Sequence, residues 1–199
     1  MKIGLKEKMK NITPYLKTNS WFNFNTFYEM IAKQPGMLRF IEIGVWKGHS
    51  IAFLANCLLK NQIPFELFAV DIWDKNFSYP DSVTNFEKEH IKEIFEENLK
   101  IQGVYDFITP MHMSSIEASN KFKEGYFDFI LIDASHKEID VINDIKAWWP
   151  KLRIGGIMAC HDYVPWCGVM PAIIKVIEEG FIEGKKEIMN DMFYITKEK

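Results

Sequence analysis

Short apolar runs alternate with stretches of helical periodicity along most of this chain. Residues 38–43 place Leu38, Phe40, Ile41 and Ile43 between Gly36 and Gly44, which predicts a first strand. Residues 50–59 are apolar almost all round and suit a helix buried against a sheet. Residues 65–70 predict a second strand. Thr84 with Glu87 forms a capping-box pair that opens a helix with Ile91, Ile94, Phe95 and Leu99 on one face. Residues 104–109 predict a third strand, and Ser114 with Glu117 caps a short helix running to about Lys123. Residues 127–132 are apolar enough for mid-sheet. Ile139, Ile142, Ile145 and Trp149 mark one face of the next helix, and Pro150 closes it. A fifth strand runs over 152–159 through Gly155-Gly156. Pro171 suits the first turn of a last helix that Gly180 stops. Residues 185–189 and 192–196, joined by Asn190-Asp191, predict a terminal hairpin.

Repeated strand–helix alternation predicts an α/β fold, an open and mostly parallel sheet with helices on both faces. Such sheets bind ligands at the carboxyl ends of their strands. The residues at those ends are Glu42-Ile43-Gly44, Asp71-Ile72-Trp73, Met113-Ser114, Asp133-Ala134-Ser135-His136 and His161-Asp162. Alternation along an extended strand points His161 away from Asp162, so His161 is left out of the candidate site.

The first of these ends, Glu42 to Gly48, carries glycine where a tight turn or a close ligand needs it, and it precedes a helix N-terminus that favours a negative group. A dinucleotide fingerprint aligned on Gly44 would need glycine at 42 and 47, where the chain has Glu42 and Lys47. A pyrophosphate site is therefore disfavoured, and a plain strand–turn–helix connection stays open. Asp71 ends the second strand, where a carboxylate accepts both hydroxyls of a ribose, although a simple surface acid explains it too. Trp73 is placed to cover an adenine face. Glu42 and Asp71 together fit an adenosine cofactor without pyrophosphate, of which S-adenosylmethionine is the common one.

Composition narrows the class. The chain has 199 residues, 48% hydrophobic, enough for one domain with a core. Its 24 basic and 27 acidic residues give a net charge of −3, which supplies no field for nucleic-acid binding. Three cysteines (Cys57, Cys160, Cys167) without CxxC spacing fit neither a disulfide scaffold nor a zinc cluster. Cys57 and Cys160 read as small buried apolar residues. No run approaches a membrane span and no signal peptide is recognisable, so a cytoplasmic protein without membrane partners is expected. Residues 1–36 are set apart as a helical segment rich in aromatics (Trp21, Phe22, Phe24, Phe27, Tyr28), and 37–199 as the main domain. A lid, a homo-oligomer contact and simple packing on the sheet are its alternative roles.

The chain resembles class I S-adenosylmethionine-dependent methyltransferases, nearest the small family related to macrolide-sugar and rhamnose O-methyltransferases. The likeness lies in the stretch from Phe40 to Gly48, in Val70-Asp-Ile-Trp73, in Ile132-Asp-Ala-Ser-His136, in the stretch from Asp144 to Leu152 and in the stretch from Gly155 to Tyr163. The resemblance implies a Rossmann-like, seven-stranded sheet whose last strand is antiparallel. It implies that Glu42, Gly44 and Gly48 line the methionine part of the cofactor, that Asp71, Ile72 and Trp73 meet the ribose and adenine, and that Met113, Ser114 and Ser115 lie against the adenine. Relatives often have Asp at the Ser114 position, and Ser114 equally suits a helix cap. Asp133 is implied beside the cofactor.

Asp133 and Asp162 are implied to hold a divalent metal, with magnesium expected because it prefers oxygen ligands. His136 matches the position of a general base toward a hydroxyl of a small-molecule acceptor, a sugar or glycoside among them. Backbone satisfaction of Asp133, a turn role for Asp162 and a helix cap for His136 are the structural alternatives. Tyr163 stands where catechol-type relatives place Asn. No Asp/Asn-Pro-Pro-Tyr/Phe element occurs, against methylation of DNA-base amino groups. A metal-free methyltransferase and a cofactor-binding module without catalysis are the alternative functions. The loops at 74–83 and 164–169 are expected to shape the acceptor pocket.

Overall fold

A computed structural model describes residues 22–62, 64–76, 82–164 and 167–199. Residues 1–21, Trp21 among them, and parts of both expected acceptor loops lie outside the described residues. Seven strands form one sheet: β1 (Arg39–Ile43), β2 (Glu66–Asp71), β3 (Thr109–His112), β4 (Phe127–Ile132), β5 (Leu152–Cys160), β6 (Gly184–Met189) and β7 (Met192–Lys197). Their order is β3-β2-β1-β4-β5-β7-β6. Pairings from β3 to β5 are parallel, and β7 runs antiparallel to both β5 and β6. The expected antiparallel end of the sheet is thus present. Order reverses between β1 and β4, the topological switch point at whose carboxyl edge such sheets bind ligands.

The helices are α1 (Asn25–Ile31), α2 (His49–Lys60), α3 (Asn85–Glu89), α4 (Ile91–Ile101), α5 (Ser115–Ser119), α6 (Glu138–Trp148) and α7 (Val169–Glu178). Strand alternation divides the core between two faces. Phe40, Phe129, Leu131, Ile157, Ala159 and Tyr194 join the cluster under α1, α2 and α4. Ile41, Ile130, Ile132, Met158, Cys160 and Phe193 join the cluster under α6 and α7. Central strands covered on both faces explain the near-continuous apolar runs. The aromatic segment 22–31 belongs to the first of these layers: Phe27 and Tyr28 are buried, and Phe27 packs 5.3 Å from Tyr194. Its described part packs on the sheet. Among the described residues no helix is long and apolar enough to cross a membrane.

Three elements differ from the sequence reading. The third strand is Thr109–His112, and Tyr105–Phe107 form a 3-10 turn before it. Val104 and Ile108 are buried plugs after α4, not alternate strand positions. The helix opened by Thr84 breaks at His90 into α3 and α4. Ile139 is exposed, and Val141, Ile142, Ile145 and Trp148 form the buried face of α6. Cys57 is half-buried, whereas Cys160 is buried as read.

At the opposite edge Asp128 ties three strands together. Its Oδ2 accepts from the amides of Leu38 (2.9 Å) and Arg39 (2.8 Å), and its Oδ1 accepts from Arg153 Nε. Truncation would strand two amides and a guanidinium. Asp128→Ala is expected to lower unfolding stability by about 2–4 kcal/mol in urea denaturation.

Candidate active site

Three strand ends and two loops build the site. β1 leads into Gly44, whose φ is +87° and whose missing Cβ lets the loop cross the Asp133 carbonyl; any side chain would collide there. The crossing is pinned by Gly44 N donating to Val70 O (2.8 Å) and Asp133 N donating to Ile43 O (2.8 Å). It brings Asp133 beside the first loop.

Asp133 and His161 emerge on the same sheet face as α1. Asp162 would leave on the other face, but its φ of +55° turns it back. This corrects the exclusion of His161: alternation ends where β5 ends, at Cys160. His161 Nδ1 lies 3.2 Å from Asp133 Oδ1 and 3.5 Å from Asp162 Oδ2. Its Nε2 lies 3.1 Å from Asn23 Oδ1 and 3.4 Å from Asp191 Oδ2, and the Phe24 ring sits 4.6 Å away. Both ring nitrogens therefore face acceptors, which suits an imidazolium. Burial alone would depress the His161 pKa. The bond and charge of Asp133 and the charges of Asp162 and Asp191 outweigh burial and lift it to about 9.

His136 Nε2 lies 2.9 Å from Asp162 Oδ2, and its side chain is 53% exposed. The Asp162 bond raises the His136 pKa against the opposing effect of burial, and the same bond lowers that of Asp162. Gly168 N donates to His136 O (3.0 Å), holding this rim against the start of α7. Asp133, His136 and Asp162 offer one donor atom each within 4.8 Å of one another. Two carboxylates and an imidazole at that spacing fit a divalent cation.

Glu42 is 0% exposed, beneath the first loop. Its Oε2 accepts from Tyr28 OH (2.6 Å) and its Oε1 from Ser50 Oγ. Burial pushes its pKa up to about 8, with the Ser50 and Tyr28 bonds pulling the other way. Asp71 accepts from Trp46 N and Trp73 N, both at 2.8 Å. Burial raises its pKa against those amide bonds.

An open cleft of about 470 Å³ lies beyond the ends of β2 and β3, with Ile72, Trp73, Lys75, Lys88 and His112 in its lining. Its lining follows directly on from Asp71 through Ile72 and Trp73. Ile72, 40% exposed, is open to it. Trp73 is mostly core, which limits the face it can offer an adenine: it is 6% exposed, its Nε1 donates to Trp46 O (3.0 Å) and its ring packs on Phe95 at 4.7 Å. Its remaining surface lines the cleft. Gly48 is covered by α4, where a Cβ would lie 2.7 Å from Phe95. Ser114 Oγ donates to Glu117 Oε2 (2.6 Å) in a complete capping box, and Ser115 Oγ accepts from Trp148 Nε1 (2.9 Å). Met113 is half-buried and donates its amide to Asp71 O (3.2 Å).

Sequence reasoning missed Tyr28, Ser50, Asn23, Asp191 and His161. Only His161, adjacent to Asp162, carried a local signal. Asn23 and Asp191 reach the site from an N-terminal loop and a hairpin turn distant in sequence.

A mixed sheet of this order, with acids at or beside the ends of β1, β2, β4 and β5, defines a class I methyltransferase fold. The family model described as a methyltransferase domain matches residues 41–163, and the chain belongs to that family. No curated protein matches it. Similar solved structures include the O-methyltransferase NovP (TM-score 0.63, 15% identity, 99% of this chain and 81% of that one). A putative O-methyltransferase from Klebsiella pneumoniae has a TM-score of 0.64 at 14% identity, covering 100% and 92%. The O-methyltransferase TomG from Streptomyces achromogenes, solved with SAM, has a TM-score of 0.62 at 13% identity, covering 98% and 91%. At these identities the likeness is one of fold.

The Glu42 carboxyl gives a pH signature. Its folded pKa is raised, so the unfolded state ionises first and stability falls as pH rises through the interval up to about 8. Relative to Glu42→Gln, the native protein is expected to lose about 1.4 kcal/mol per pH unit between roughly pH 5 and 8. Thermal melts of both proteins across that range measure the difference, and parallel curves would refute it.

Proposed function

We propose that this chain transfers the methyl group of S-adenosylmethionine to a hydroxyl of a small molecule, sugars and glycosides included. The observation that carries the reading is the His136–Asp162 pair on the rim beside Asp133, next to a loop and an Asp71 suited to an adenosine cofactor. The O-methyltransferase names of the structural neighbours support it by analogy of fold.

Asp71 is suited to accept the ribose hydroxyls, and Ile72 to border the adenine in the adjoining cleft. The remaining cofactor candidates are Gly44, Gly48, Met113 and the Asp133 rim, with Glu42 beneath them. When bound, S-adenosylmethionine supplies an electrophilic methyl group. The acceptor hydroxyl is a weak nucleophile at neutral pH. Asp162 engages His136 Nε2, which leaves Nδ1 as the atom that takes the hydroxyl proton, and Asp162 then stabilises the imidazolium. His161, already cationic below about pH 9, is no base at neutral pH; it holds the Asp133 and Asp162 carboxylates in place.

A second reading adds magnesium, favoured by the clustered donors of Asp133, His136 and Asp162. The ion would lower the pKa of an acceptor hydroxyl bound to it. In that case Asp133 and Asp162 are its ligands and His136 keeps its role on the same rim.

Methyl transfer from labelled S-adenosylmethionine to a panel of hydroxylated small molecules tests the proposal. His136→Ala is expected to cut turnover by about 10²–10⁴-fold while cofactor affinity in calorimetry stays within about twofold. Full turnover by that variant would remove His136 as the base. Loss of turnover on chelation, restored by magnesium, would support the second reading, and activity unchanged by chelator would refute it.

A further inference from the structure

Outside the acid–histidine cluster, the strongest unexplained feature is a buried ion pair. Lys47 sits in the middle of the first loop, yet it is 1% exposed. Its Nζ donates to Glu87 Oε1 at 2.6 Å, across 40 residues of sequence, and lies 4.4 Å from the Trp46 ring. Burying two charges is costly unless each is paired, so such a pair is weak evidence for stability and invites another explanation. Glu87 also serves α3: its Oε2 accepts from Thr84 N (2.8 Å) and Thr84 Oγ1 (2.9 Å). One carboxylate thus joins the cap of α3 to the loop. α4 adds a second fixing point, where Asn98 Nδ2 donates to Lys47 O at 2.9 Å.

The consequence falls on Asp71. The residue before Lys47 is Trp46, whose amide donates to Asp71 Oδ2 (2.8 Å) and whose carbonyl accepts from Trp73 Nε1. A line of hydrogen bonds therefore runs from the α3 cap through Glu87 and Lys47 to the residue whose amide orients Asp71. The next residues of α3, Lys88 and Glu89, line the cleft beyond Asp71. Lys47 itself is sealed from any ligand.

We infer that Lys47 and Glu87 are positioning residues that fix the Asp71 carboxylate for the ribose of an adenosine ligand. The inference rests on the cofactor reading above. It assigns α3 and α4 a role in ligand recognition, since they supply Glu87 and Asn98 as well as part of the cleft wall.

The test uses S-adenosylhomocysteine and its 2′-deoxy analogue, titrated calorimetrically into the full chain. The native protein is expected to favour the ribose form at least about tenfold, because an analogue that lacks the hydroxyl forfeits a charge-assisted hydrogen bond to the oriented Asp71 carboxylate. The variant K47M/E87Q removes both charges together and keeps a capping-box residue at position 87. It is expected to melt within a few degrees of the native protein, to bind S-adenosylhomocysteine about tenfold more weakly and to discriminate the deoxy analogue less than about threefold. Native affinity and native discrimination in the folded double variant would overturn the inference. Should that variant fail to fold, Asn98→Ala, which leaves the ion pair intact, is expected to weaken binding about threefold with reduced discrimination. Unchanged values there overturn it as well. If the native chain binds neither compound, the cofactor reading itself falls.

Discussion

Acids crowded at one end of a parallel sheet must be neutralised, and this requirement organises the whole carboxyl edge. Asp133, Asp162 and Asp191 converge on a single imidazole, His161, with Asn23 completing its partners. Without that cation three carboxylates would face one another at the mouth of the crevice, in a partly buried setting where repulsion is poorly screened. The arrangement draws on distant parts of the chain. Asn23 comes from the loop before α1, Asp191 from the turn between β6 and β7, and the rest from β4 and β5. The N-terminal segment and the terminal hairpin are thereby tied to the acid–histidine cluster, beyond their share of the core. Tyr163 N donating to Asp191 O (2.7 Å) closes the same knot through the backbone.

The second organising constraint is steric. The loop after β1 passes so close to the end of β4 that position 44 admits no side chain, and α4 presses on the same loop at Gly48 through Phe95 and Leu99. The two glycines have different reasons. Gly44 permits the approach that sets Asp133 beside the loop. Gly48, with φ +77°, starts α2 while leaving room for Phe95. A loop held from both sides presents its backbone in one conformation, the condition for recognising a ligand through amides and a single carboxylate.

Much of this was legible where local patterns decide. Both capping boxes, at Thr84 and Ser114, form with the expected partners, because N-terminal capping depends on four consecutive residues. Strands β1, β2, β4 and β5 announced themselves as apolar runs because both their faces are buried. Strand β3 did not: it is an edge strand with Pro110 in its middle and little buried surface, so neighbouring Val104 and Ile108 supplied a stronger apolar signal. The acids at the strand ends were found, since topology alone brings them together. His161 was lost to an alternation rule that fails once Asp162 adopts a left-handed conformation. Lys47 read only as a departure from a glycine motif. Its partner stands on another element, and no local pattern reports a pairing across 40 residues.

The two histidines of the rim illustrate how environment assigns roles to the same side chain. His161 is buried among acceptors on both ring nitrogens, so its proton is held well past neutrality and it acts as fixed charge. His136 is half exposed and has one carboxylate partner, on Nε2. That partner lifts its pKa from the ordinary value without surrounding the ring, and the opposite nitrogen has no partner among the described residues. This openness suits the proposed role of His136, which takes a proton and returns it to solvent. Asp162 serves both: its Oδ2 meets His136 Nε2 and His161 Nδ1. The left-handed turn at Asp162 is therefore what joins the two imidazoles through one carboxylate, and the strained conformation sits at the rim where the proposed chemistry would take place.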